Sequence, residues 1–176
     1  MSIDYSEDRL IQKSAAELME TELGWASVYA YDKEVLGENG TLGRNSFHEV
    51  LLIQQFRLAL KKLNPWINDK QIAEAIERMT ERMSSQTLMQ INEQKYQFIR
   101  DGIPVTRIKP DGTSEEIKAV VIDFENVDNN NFLCVRELWV YGALYRRRAD
   151  IVGFVNGIPL LFVELKNHNI EVENAF

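Results

Sequence analysis

Two runs of strand-forming residues meet at Asn156-Gly157, and this junction limits what the chain can fold into more than any other feature. Both residues tolerate positive φ, so the dipeptide closes a hairpin between strands over residues 149–155 and 159–166. The second run, Pro159-Leu160-Leu161-Phe162-Val163, is apolar on both faces, which suits a central strand covered on both sides. It ends in Glu164-Leu165-Lys166. Two positions apart on a strand, a carboxylate and an ammonium point to the same face, here at the rim of a buried sheet. Such a placement requires a reason, and Asp150 on the first run supplies a second acid.

Hairpin geometry decides whether the two acids meet. A two-residue loop pairs Val155 with Ile158, sets Asp150 opposite Val163 and turns Glu164 to the other face. The carboxylates converge if the loop is odd-numbered or the hairpin carries a bulge; a three-residue loop over 155–157 with Gly157 left-handed is one solution. Converged, Asp150 and Glu164 can hold a divalent cation such as magnesium, with the Leu165 carbonyl as a third oxygen ligand. The ion would lower the pKa of a bound water and stabilise charge on a phosphate, and Lys166 can orient or deprotonate that water or neutralise the charge. These parts add up to metal-assisted hydrolysis of a phosphodiester. Glu-x-Lys recurs at Glu93-Gln94-Lys95 and Glu116-Ile117-Lys118, so the tripeptide alone decides nothing. The same charges also fit a cross-strand ion pair with Lys166 or with Arg146, Arg147 and Arg148, and spacing does not choose between the two.

Upstream, the periodicity is helical first and strand-like later. Apolar residues at Leu10, Ile11, Ala15, Leu18, Met19 and Leu23, with Gly24 as the stop, predict an opening helix over 6–23. An extended segment over 25–31 and a surface loop over 32–45 follow. Ser46-Phe47-His48-Glu49 matches a capping box and predicts a helix over 47–63, ended by Asn64-Pro65. Further helices are expected over 69–83 and 86–100, their Met residues serving as core filler and His48 as a solvated or capping residue. After residue 102 the period becomes two. Residues 104–109 and 116–124 flank Asp111-Gly112 as a hairpin, and 132–141 reads as another strand. Helices followed by a run of antiparallel strands argue for α+β or mixed α/β, with helices against one sheet.

At 176 residues the chain suffices for one domain that buries roughly 70% of its unfolded surface. Residues 1–100 form a mainly helical part and 101–176 a β-rich core. The longest apolar run, residues 158–163, is far short of a bilayer span and the N-terminus is acidic, so a cytoplasmic location is expected. The single cysteine, Cys134, lies in a strand-like run and reads as a buried, reduced thiol. The net charge of −7 argues against a free-standing nucleic-acid binder, whose affinity rests on neutralised phosphates.

The string RRRADIVGFVNGIPLLFVELKN, over 146–167, closely resembles the nuclease motif of the R subunit of type I restriction-modification enzymes, within the PD-(D/E)xK nuclease superfamily. VVIDFENVDNNNFLCVRELWVYG resembles the strand pair preceding that motif, and LIQKSAAELMETELGW the family's opening helix. The resemblance implies a restriction-endonuclease-like core: a mixed central sheet with a β-hairpin carrying the active site, packed by N-terminal helices. It implies magnesium as cofactor, Asp150 and Glu164 as metal-binding acids, Lys166 as catalytic lysine, and double-stranded DNA as substrate; Arg146, Arg147 and Arg148 are candidates for its phosphates. In that family the subunit continues into an ATP-driven translocase and assembles with methyltransferase and specificity subunits. No G-x-x-x-x-G-K-[ST] loop occurs here, so the chain reads as an N-terminal fragment of a longer polypeptide, with ATP used elsewhere. Two departures stand out. The family's Gln-x-x-x-Tyr helix only begins at Ile170, and the opening-helix acid falls near Gln12-Lys13, with Glu7 and Glu17 off register. His168, just past the lysine, is a lesser candidate for proton transfer. A repair or recombination nuclease of the same superfamily and a non-catalytic docking module are the rival readings.

Overall fold

The computed structural model describes residues 7–81 and 85–165, with side chains from residue 11 onward. Two compact units emerge: one comprises the described residues up to Leu52 together with those from Phe132 on, the other spans Ile53–Asn131. The chain therefore leaves the first unit after Leu52 and returns to it at Phe132. Among the described residues no helix is long and apolar enough to cross a membrane.

The first unit is built on a four-stranded mixed sheet in the order β1-β4-β5-β6. Its strands are β1 (Ala26–Tyr29), β4 (Phe132–Tyr141), β5 (Arg146–Val155) and β6 (Ile158–Val163), and helix α1 is Glu7–Leu23. β1 runs parallel to β4, whereas β4, β5 and β6 are successively antiparallel. Alternation along the strands supplies a core on each face. Leu133, Val135, Val152 and Phe154 enter one with Ala30, Leu42 and Leu52, while Cys134 and Ile151 enter the other with Ala16, Met19 and Trp25. The second core places α1 against the sheet through its Ala15-Ala16 and Met19 positions.

Residues 32–45 differ from the surface loop expected. Leu42 and Arg44 are 3% and 1% exposed, and Arg44 is held by both Glu34 carboxylate oxygens at 2.5 and 2.6 Å. The guanidinium also donates to the carbonyls of Trp139 and Glu49, so no donor face is left to water. The Ser46–Glu49 pattern likewise makes a turn, and the helix α2 starts at Ile53 rather than 47. Ser46 Oγ accepts from the His48 amide and the Glu49 carboxylate from Asn45. Sheet contacts compete for the backbone a helix would need: Phe47 O accepts from Tyr141 N, and Leu52 N donates to Gly157 O.

The second unit comprises α2 (Ile53–Leu63), α3 (Asp69–Thr80), α4 (Leu88–Asp101) and a separate hairpin, β2 (Ile103–Ile108) with β3 (Ser114–Ala119). One sheet for all strands, as the sequence pattern suggests, is therefore replaced by a mixed sheet and a hairpin. Capping boxes start α3 at Asn68 with Gln71 and α4 at Thr87 with Gln90. Asn64, just past α2, exchanges hydrogen bonds with both the N–H and the carbonyl of Val120, tying the helix end to the chain after β3. Glu74 does the same for α3, accepting from the Thr106 amide at 2.9 Å and its hydroxyl at 3.1 Å while paired with Arg78.

Candidate metal-dependent active site

The hairpin of β5 and β6 has the two-residue turn and a bulge as well. Asn156 and Gly157 take φ of 52° and 81°, as a type I′ turn requires, and Val155 pairs with Ile158. Phe154 then faces Pro159 but Gly153 faces Leu161, so Leu160 is the extra residue. The slip carries through to Ile151 opposite Val163, the last pair of the ladder; Asp150 and Glu164 are the residues that adjoin that pair on the two chains. Glycine is needed at 153: a Cβ there would stand 2.8 Å from the Trp25 ring and 2.9 Å from Leu161 Cβ.

A second irregularity lies across from Asp150. Glu137 in β4 has φ of 58°, a left-handed conformation that is costly for a residue with a Cβ. Around it the two-residue alternation shifts by one: Val135 and Leu138, three apart, enter the same core, and so do Val152 and Ala149. The shift turns the half-buried Asp150 toward α1. There its Oδ1 accepts from Gln12 Nε2 at 3.2 Å and its Oδ2 from the Leu165 amide at 2.7 Å. Asp150 is thus fixed from the helix and from the strand end that carries Glu164. Glu164 itself is exposed, and Lys166 and His168 lie outside the described residues.

Gln12 and Glu137 are the participants that sequence reasoning missed. Gln12 is 5% exposed on the helix stretch where an acid was sought, and a polar residue between Ile11 and Lys13 gave no sign of pointing inward. Glu137 is 6% exposed and pairs with Arg148 at 2.6 Å; the available hint was an Arg-Glu step inside an otherwise apolar strand. Arg148 also lies over Tyr31 at 5.0 Å, and Arg146 over Trp139 at 5.5 Å. All three arginines at 146–148 are exposed.

β6 does not sit centrally. It is the outermost of the four described strands, and Leu160, Leu161 and Phe162 are 48%, 37% and 66% exposed. No group of three or more His, Cys, Asp or Glu side chains among the described residues could hold a metal ion. Asp150 in β5 and Glu164, just past the end of β6, are the two candidate carboxylates, and the Leu165 amide donates to Asp150.

The family model described as type I restriction enzyme R protein N terminus matches residues 4–176. The type I restriction enzyme HindI endonuclease subunit of Haemophilus influenzae is 32% identical over 147 residues, covering 82% of this chain and 14% of its own length. A putative type I restriction enzyme endonuclease subunit of Methanocaldococcus jannaschii, MjaIXP, is 26% identical over 176 residues, 97% of this chain and 16% of that protein. A Staphylococcus aureus endonuclease subunit, SauCOLORF180P, is 24% identical over 160 residues, with 88% and 16% covered. The chain therefore spans about one sixth or less of the length of these relatives. On the family match, this chain belongs to the type I restriction enzyme R protein N-terminus family.

Proposed function

We propose that this chain is the endonuclease domain of a type I restriction enzyme R subunit, hydrolysing phosphodiester bonds of double-stranded DNA. Asp150 and Glu164 are its metal-binding acids and Lys166 its catalytic lysine. The observation that supports this reading is the setting of Asp150: Gln12 Nε2 and the Leu165 amide donate to its two oxygens, and the bulged ladder ends at Ile151 and Val163, next to Asp150 and Glu164. An ion-pair network, the alternative, would join Asp150 to a cation. Among the described residues its contacts are the neutral Gln12 side chain and the Leu165 amide, while Arg148 is taken by Glu137.

The donor set is all oxygen, which suits a hard cation such as magnesium. Asp150 and Glu164, with the Leu165 carbonyl, would hold such an ion, which would supply Lewis acidity toward water and counter-charge to the phosphate. The chain's own groups do the rest. Gln12 and the Leu165 N–H keep Asp150 from rotating away, Lys166 orients the attacking water, and Arg146, Arg147 and Arg148 hold flanking phosphates. A restriction-endonuclease-like core goes with this reading: a mixed sheet carries the acids on a bulged hairpin, and α1 covers one face. The remaining length of the relatives accommodates an ATP-driven motor, with methyltransferase and specificity subunits as partners and the cytoplasm as location.

Cleavage of plasmid DNA by the complete R polypeptide, assembled with its partner subunits and given ATP and magnesium, tests the reading. Asp150→Asn, Glu164→Gln and Lys166→Ala each lower cleavage by at least about a hundredfold while ATP hydrolysis persists. Cleavage at the unsubstituted rate by any of the three removes that residue from the site.

A further inference from the structure

A cavity of about 560 Å³ lies in the unit that holds Asp150. Gln12 and Lys13 of α1, Tyr29 and Tyr31 at the end of β1, Asp32, Lys33, and Arg136 of β4 line it. Its volume falls within the ~300–1,000 Å³ typical of small-molecule sites. The charge on its walls is unbalanced: Lys13, Lys33 and Arg136 face a single acid, Asp32. Two of these cations share one ring, with the Arg136 guanidinium 5.3 Å and the Lys33 ammonium 5.7 Å from the centre of Tyr29. Among the described residues neither has an ion pair, and Arg136 Nε is buried without a hydrogen-bond acceptor. Among the described residues Lys13 pairs with Glu17 at 3.5 Å, with both side chains largely exposed, a pair that gives way readily.

Converging cations with an unfilled guanidinium donor fit an anion, and a planar guanidinium favours phosphate oxygens. The tyrosine rings add surface on which a base or sugar can rest. Gln12 lines the cavity and donates to Asp150, so an occupant stands one side chain from the proposed metal site. Tyr31 continues the cavity wall to Arg148. We propose that this cavity binds a phosphate of the DNA strand flanking the scissile bond, with Arg136 as its principal contact and Lys33 as a second. The inference rests on the nuclease reading for the identity of the strand, while the phosphate site rests on the cavity itself.

Calorimetric titration of the 176-residue chain with thymidine 3′,5′-bisphosphate in EDTA keeps the metal site silent. Binding is expected, weakening with added salt, and Arg136→Met and Lys33→Gln each reduce affinity by about tenfold. Lys33 is exposed, so its variant stays decisive if Arg136→Met fails to fold. Absence of binding up to about 10 mM, or affinity unchanged in the folded variants, overturns the proposal. The two readings fail separately. If Asp150→Asn still cleaves DNA, the metal site is wrong and the phosphate site stands; if Arg136→Met and Lys33→Gln bind as before, the reverse holds.

Discussion

Arg44 carries a full charge into a core at 1% exposure, and Glu34 meets it there with both oxygens. Removing one member of such a pair strands the other without water or counter-charge. Arg44→Met therefore destabilises the protein by roughly 3–5 kcal/mol, read as a lower denaturant midpoint, and a midpoint near wild type would show that the pair contributes little. Cys134 poses the opposite case. Burial pushes its thiol up from the usual range, with Glu20 adding to the shift and Arg136 opposing it. A thiol reagent at neutral pH is expected to label Cys134 only as fast as the protein unfolds, and rapid labelling under native conditions would place the thiol at the surface. Both residues sit in runs that looked unremarkable in sequence. For Cys134 the apolar neighbours sufficed to predict burial, whereas nothing near Arg44 announced that Glu34, ten residues earlier, would meet it.

The hairpin shows how far local pattern reaches. Asn156-Gly157 marks the turn unambiguously because few dipeptides adopt two positive φ values cheaply. The bulge at Leu160 is harder to read, since Leu160 resembles its neighbours and Gly153, beside the slip, packs against Trp25, a contact distant in sequence. Gly153→Ala forces the Trp25 ring or Leu161 to move and costs about 1–3 kcal/mol by thermal or chemical unfolding; an unchanged stability would mean the ring moves freely. The capping-box pattern at Ser46–Glu49 misled for a related reason, because tertiary bonds from Tyr141 and Gly157 claim the backbone there. In the second unit, α3 is joined to β2 through Glu74. Burial raises the Glu74 pKa, but bonds from Thr106 and Arg78 outweigh it and lower the value below 4.5. A lowered folded value stabilises above the unfolded pKa and is lost as pH falls through the folded one. Glu74→Gln should thus be less stable than wild type at neutral pH and lose less on acidification below about pH 4.5. Parallel acid profiles would exclude the linkage.

At the scale of the whole chain, net charge and proposed function pull in different directions. A charge of −7 repels DNA at long range, and most of it falls in the unit that holds Asp150, so Arg146, Arg147, Arg148 and Arg136 stand there among a majority of acids. The two-unit division was not legible in sequence, because the first unit takes its sheet from both ends of the chain and excludes residues 53–131. Asp150 and Glu164 were singled out in sequence as a charged end to an apolar strand and the resemblance pointed to the Gln12-Lys13 stretch, but the inward setting of Gln12 and the role of Glu137 emerged only from folding. The central claim is that Asp150 and Glu164 together hold a divalent cation. Calorimetric titration of magnesium into the chain and into Asp150→Asn, with folding checked by circular dichroism, tests it most directly. Measurable binding to the wild type that falls by about tenfold or more in the variant is the predicted result; equal binding by the two proteins would contradict it.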